Sequence, residues 1–146
     1  MLIKLTETIN AQPEKVFEIM TNTRLLKKWM LDLTQVKETS GSRSKPGHQS
    51  ILIFGKGEGA LEVEETIIEF NKPKQLKLDL ASRNMKSQQT FQFEALPDQK
   101  TRINARIKVN LRPAIINLFI LFLRPSIRNQ QRGDLKRLKR LIEERN

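Results

Sequence analysis

Three glutamates and one histidine are the residues of this chain whose types could support acid–base chemistry. Glu62, Glu64 and Glu65 fall in one strand-like segment, where alternation places Glu62 and Glu64 on the same face. Two carboxylates act as general acid and general base when burial of one separates their pKa values. We favour instead exposed glutamates that pair with basic residues across strands. The candidates for a catalytic role are Glu64 and His48. His48 is the single histidine, and the sequence shows no acidic or nucleophilic partner for it.

The sequence contains no motif for phosphate binding, thiolate chemistry or metal binding. The segment GKGEG at residues 55–59 resembles a phosphate loop, but strand-like sequence follows it where a dinucleotide loop needs a helix N-terminus. This pattern predicts a hairpin turn. The absence of cysteine excludes disulfides and thiolate ligands, and one histidine with scattered carboxylates has no metal-ligand spacing. We expect neither a metal nor a cofactor.

The segments between residues 30 and 112 alternate with the period of two that is typical of strands. Short turns between them predict an antiparallel meander with one buried face. With the N-terminal segment, the predicted strands are seven: residues 2–9, a strand from residue 31 to the polar loop 40–47, and residues 50–54, 60–70, 76–80, 85–96 and 101–111.

Helical patterns occur directly after the first strand and at the end of the chain. Pro13 suits the first position of a helix, and Thr23 is the predicted cap of a second helix that ends at Trp29. The last helix has an apolar stripe at Ile127, Leu135, Leu138 and Ile142. Pro125 is predicted to kink or break this helix, because its ring crowds the preceding turn.

This order of elements resembles the helix-grip fold of the START-like, or SRPBCC, polyketide cyclase/dehydrase superfamily. The segments that carry the resemblance are INAQPEKVF at 9–17, LKKW at 26–29 and LKRLKRLIE at 135–143. It implies a single α+β domain over residues 1–146, in which a curved seven-stranded antiparallel sheet and two short helices are closed by a long C-terminal helix. It also implies a cavity for a hydrophobic ligand between the sheet and that helix.

Inward-facing apolar residues either fill the core or line such a cavity, and the sequence leaves both interpretations open. Trp29 could close the mouth of the cavity or, as we favour, fix the two short helices to the sheet. The other candidate ligand contacts are Leu78, Leu80, Met85, Phe91, Phe93, Ile103, Ile107, Val109, Phe119 and Phe122.

The net charge is +11, and residues 124–146 contribute +5 of it, from eight basic and three acidic residues. Four basic residues at helical spacing could contact an anionic membrane, or form a solvated face: Arg124, Arg128, Arg132 and Lys136. The apolar run 113–123 is about half the length of a membrane span. No nucleic-acid-binding signature is present. The N-terminal segment lacks the continuous apolar stretch of a signal peptide, so we expect a cytoplasmic protein, with peripheral membrane contact as an option.

The resemblance implies that the protein sequesters or transports a lipid, quinone or polyketide-like molecule. Two alternatives remain at this stage. One is a cyclase- or hydrolase-type enzyme that acts in the same cavity, and the other is a basic adaptor that docks on a membrane or an acidic protein.

Overall fold

The alternating segments form one antiparallel sheet in the computed structural model, which describes residues 1–40, 44–112 and 120–145. In these residues the sheet has seven strands in the order β1-β7-β6-β5-β4-β3-β2, so that β2 to β7 form the predicted meander and β1 pairs with β7. The strands are β1 (Leu2–Ile9), β2 (Leu33–Ser40), β3 (Gln49–Phe54), β4 (Leu61–Asn71), β5 (Gln75–Ser82), β6 (Met85–Leu96) and β7 (Lys100–Leu111).

Two short helices follow β1, as the sequence predicts. In α1 (Pro13–Thr21), Pro13 occupies the first turn, where its missing N–H costs no hydrogen bond. A 3₁₀ turn then leads into α2 (Leu26–Trp29). The predicted cap is wrong by one residue, because Asn22 Oδ1 accepts the hydrogen bond from the Arg24 backbone nitrogen at 3.0 Å. Thr23 instead donates to the carboxylate of Glu38 at 3.1 Å.

The C-terminal helix α3 (Ile120–Glu144) buries the predicted stripe, with Leu135, Leu138 and Ile142 in the core and Ile127 partly buried. The predicted break at Pro125 is wrong, since the helix continues through it. Pro125 is exposed and lies five residues after the start of α3, and the buried stripe further along holds the helix on the sheet despite the missing bond to the Leu121 carbonyl. The predicted ligand contacts Phe119 and Phe122 lie outside the residues whose side chains the structure describes.

The helices cover one face of the sheet, which we call the inner face; the opposite one is the outer face. Phe17 of α1 is fully buried and meets Phe70 and Phe93 edge to face, with ring centroids 4.9 and 5.1 Å apart. Burial of such a side chain stabilises the fold by about 1.5–3 kcal/mol. This aromatic cluster fixes α1 to the middle of the inner face.

Two arginines of α3 cover the open edge of β1. Arg124 donates to the Leu2 carbonyl at 3.3 Å, and Arg128 donates to the Lys4 carbonyl at 3.0 Å. The distance between the two arginines along α3 matches the distance between the two carbonyls along β1, because four helical residues rise about 6 Å and two strand residues rise about 6.8 Å. The helix thereby satisfies carbonyls that an edge strand leaves unpaired.

Candidate functional site

A cavity of about 250 Å³ lies between the sheet and α3. Strands β3 to β7 contribute to it from one side, α3 from another, and the segment between α2 and β2 forms its margin. Four of the predicted contacts line it: Leu80, Met85, Ile107 and Val109. Its other apolar lining residues were not predicted from the sequence: Met30, Leu31, Phe54, Leu61, Val63 and Ile127.

The remaining predicted contacts face inward but pack in the core away from this cavity: Trp29, Leu78, Phe91, Phe93 and Ile103. Along β6, Met85, Ser87 and Gln89 line the cavity, whereas Phe93 lies further along the strand and meets Phe17. Alternation therefore predicts which face a residue occupies, but not how far along the strand the cavity extends.

Long-range hydrogen bonds hold the margin of the cavity. The backbone nitrogen of Leu31 donates to Asp134 Oδ1 at 3.0 Å, and the Gly55 nitrogen donates to the Asp32 carbonyl at 2.9 Å. Arg137 pairs with the Asp134 carboxylate and donates from Nε to the Trp29 carbonyl at 3.0 Å. These bonds tie the segment between α2 and β2 to α3 and to the end of β3.

Asp134 is a buried carboxyl at this margin. Burial, the largest influence, raises its pKa above the ordinary value, although the hydrogen bonds from Leu31 and Arg137 act in the opposite direction. Its Oδ1 already accepts from both of these partners. The Asp134 carboxylate therefore holds the margin of the cavity together.

Two polar side chains of β6 interrupt the apolar lining. Ser87 and Gln89 are both buried on the inner face and both line the cavity. Ser87 Oγ has no hydrogen-bond partner among the described residues. Its cross-strand neighbours are Leu80 and Val109, which cannot provide one. A buried hydroxyl without a hydrogen-bond partner is costly, and this one borders the cavity.

A second polar group lies on the inner face outside the cavity lining. His48 is 1% exposed, and neither of its ring nitrogens has a hydrogen-bond partner in the described part of the chain. Ser50 and Glu65 are cross-strand neighbours and are also buried. The expectation that Glu65 is exposed is wrong, because alternation places it between Val63 and Ile67 on the inner face. The sequence pattern already contained that signal.

The other two glutamates are exposed, as expected. Glu64 accepts a hydrogen bond from Gln49 Nε2 at 3.4 Å and belongs to the outer face, opposite the cavity. It therefore does not meet a molecule bound at the inner face. Within residues 1–40, 44–112 and 120–145, no cluster of histidine and carboxylate side chains has the arrangement of a metal site. Over the same part of the chain, no helix is both long and apolar enough to span a membrane.

Comparison with known proteins agrees with this architecture. Residues 2–143 match the model of a protein family described as polyketide cyclase/dehydrase and lipid transport. No curated protein sequence matches the chain.

Several solved structures share the fold over the whole chain. Protein TTHA0849 from Thermus thermophilus has a TM-score of 0.81 at 13% identity, covering 100% of this chain and 99% of its own. Ara h 8.0201 has a TM-score of 0.77 at 12% identity, with coverage of 99% and 98%. For a conserved protein from Geobacillus kaustophilus the TM-score is 0.78 at 9% identity, with coverage of 99% and 96%. At such identities the likeness shows the fold alone.

Proposed function

The chain belongs to the polyketide cyclase/dehydrase and lipid transport family, and from this premise we propose that it binds a small hydrophobic molecule between the sheet and α3, for sequestration or transport. The observation that carries the proposal is the apolar lining of the cavity, which brings together side chains from five strands and from α3. A ligand there would bind mainly because its surface leaves water.

The size of the cavity limits the ligand. A water molecule occupies about 30 Å³ in the liquid, so 250 Å³ holds on the order of eight groups of that size. Each buried methylene contributes about 0.8 kcal/mol, which corresponds to about a fourfold gain in affinity. The residues described therefore favour a compact ligand, or the buried end of a longer one.

The titratable groups of the cavity support a binding protein over an enzyme. Its described lining contains two carboxylates. Asp134 is engaged by Leu31 and Arg137, and Asp32 is exposed to solvent in the segment that forms the margin. Glu64 lies on the outer face, and His48 is outside the cavity lining. A cyclase- or hydrolase-type reaction would need a carboxyl or imidazole that is both buried beside the substrate and free to exchange a proton with it, and neither Asp134 nor Asp32 meets both conditions.

The test is a series of straight-chain primary alcohols from butan-1-ol to dodecan-1-ol, with binding measured by calorimetry. We expect affinity to rise about fourfold per methylene and then to level off when the cavity is full. Native mass spectrometry of the protein, purified without denaturation, should show a co-purified small molecule of low polarity. Affinities that do not depend on chain length, together with a consistently empty protein, would contradict the proposal.

A further inference from the structure

The cavity differs in charge from the rest of the protein. The chain has a net charge of +11, yet none of the described residues that line the cavity is lysine or arginine. Two of them, Asp32 and Asp134, are acidic. The segment 113–123, which precedes the described side chains of α3, contains no charged residue in its sequence. Arg137 does not line the cavity and is already paired with Asp134, so the described lining offers no unpaired cation to a ligand.

Ser87 provides the second, independent observation. Its hydroxyl is buried, lines the cavity and has no partner among the described residues. Gln89, two residues further on the same face, has apolar cross-strand neighbours in Leu78 and Ile107. On β6 the cavity lining therefore offers a hydroxyl and an amide, both of which can donate and accept hydrogen bonds.

We propose that the ligand is an uncharged amphiphile, whose hydroxyl or carbonyl oxygen hydrogen-bonds to Ser87 Oγ with Gln89 beside it. This inference rests on the proposed function and narrows its ligand class to alcohols, phenols, ketones and quinones. Fatty-acid carboxylates and lipid phosphates are rejected, because an anion would lose its hydration without meeting an unpaired cation in the described lining. It would also lie near the carboxylate of Asp32 and near Asp134, whose charge Arg137 already balances.

The ligands for the test are three ring compounds of about the expected size: benzyl alcohol, toluene and benzoate. Binding is measured by chemical-shift titration of the isotope-labelled protein at neutral pH. We expect benzyl alcohol to bind at least about tenfold more tightly than benzoate, which is charged at this pH. Ser87→Ala should weaken the binding of benzyl alcohol about fivefold, which is the usual effect of one lost hydrogen bond. The affinity for toluene should not fall.

Ser50→Ala is the matched control. Ser50 is buried on the same face, and its hydroxyl is equally without a partner among the described residues, but it does not line the cavity. This variant should bind all three compounds as the wild type does. Benzoate binding as tight as that of benzyl alcohol, or equal effects of the two serine variants, would overturn the inference while leaving the proposed function intact. If neither these compounds nor the alcohol series bind, both proposals are wrong.

Discussion

Asp134 Oδ1 of α3 accepts a hydrogen bond from the backbone nitrogen of Leu31 at 3.0 Å, across 103 residues of sequence. Both residues line the cavity, so the bond that ties the C-terminal helix to the segment after α2 also sets one margin of the binding site. Arg137 strengthens this junction by pairing with Asp134 and by donating to the Trp29 carbonyl. Helix docking and cavity shape therefore depend on the same carboxylate.

The raised pKa of Asp134 gives this junction a predictable pH dependence. Because burial disfavours the charged carboxyl, the folded state binds its proton more tightly than the unfolded chain does. Through this group, stability is gained as the pH falls through the raised pKa towards the ordinary one. We expect the wild type to gain stability relative to Asp134→Asn between about pH 7 and about pH 4, measured by urea unfolding.

The asparagine variant keeps a carbonyl oxygen for the Leu31 nitrogen, so the comparison isolates the titrating charge. Asp79→Asn removes an exposed carboxyl of β5 and serves as the control for the loss of one charge. A difference between wild type and Asp134→Asn that is independent of pH, or that shifts in favour of asparagine on acidification, would contradict the prediction.

The fold could be predicted from the sequence because its signals are local. The alternation of Ile103, Ile107 and Val109 identifies the inner face of β7, and the spacing of Leu138 and Ile142 identifies the buried side of α3. Each of these patterns depends only on the period of one element. The family resemblance then supplied the order in which the elements pack.

The cavity could be predicted only in part, because its position depends on contacts between distant segments. Met30 and Leu31 belong to no regular element, and Leu31 is placed by its bond to Asp134. Glu65 is buried although it is charged, because the alternation of β4 places it on the inner face between Val63 and Ile67. The predicted break at Pro125 is wrong because packing of the apolar stripe on the sheet holds α3 together, which a local rule about proline does not include.

Filling the cavity should abolish ligand binding. Leu80 lines the cavity and is only partly buried, so Leu80→Trp can place a larger side chain in that space. We expect affinity for octan-1-ol to fall at least about tenfold, with a stability cost of about 1–3 kcal/mol. The control is Ile68→Trp on the neighbouring strand β4. Ile68 is 40% exposed, so this variant should bind octan-1-ol as the wild type does. Calorimetric titration checks both, and unchanged binding by Leu80→Trp would place the ligand elsewhere.

Core aromatic residues should affect stability but not affinity. Phe93 packs against Phe17 and does not line the cavity. Phe93→Leu should therefore lower the free energy of unfolding by about 1–2 kcal/mol, since an edge-to-face contact and buried surface are lost. Its affinity for octan-1-ol should equal that of the wild type. A several-fold loss of affinity in the folded variant would show that the binding site extends to Phe93.

His48 should be replaceable by an apolar residue without loss of stability. Its ring is buried and neither nitrogen is hydrogen-bonded in the described part of the chain, so removal of both polar atoms relieves a desolvation cost of about 1–3 kcal/mol. We expect His48→Leu to have a Tm at or above that of the wild type. Thr101→Val is the contrasting variant, because the buried Thr101 hydroxyl donates to the Ala11 carbonyl at 2.7 Å. It should lower the Tm, and a lower Tm for His48→Leu as well would contradict this account.

The four basic residues at helical spacing on α3 form two pairs with different expected roles. Arg124 and Arg128 donate to carbonyls of β1, whereas Arg132 and Lys136 are exposed. If the helix meets an anionic membrane, each exposed cation contributes about 1 kcal/mol, so Arg132→Ala with Lys136→Ala should weaken binding to phosphatidylserine vesicles about 30-fold. Lys86→Ala with Lys108→Ala makes the same change in net charge on the outer face and should have little effect. Salt-dependent vesicle flotation measures both, and equal losses would show that only net charge matters.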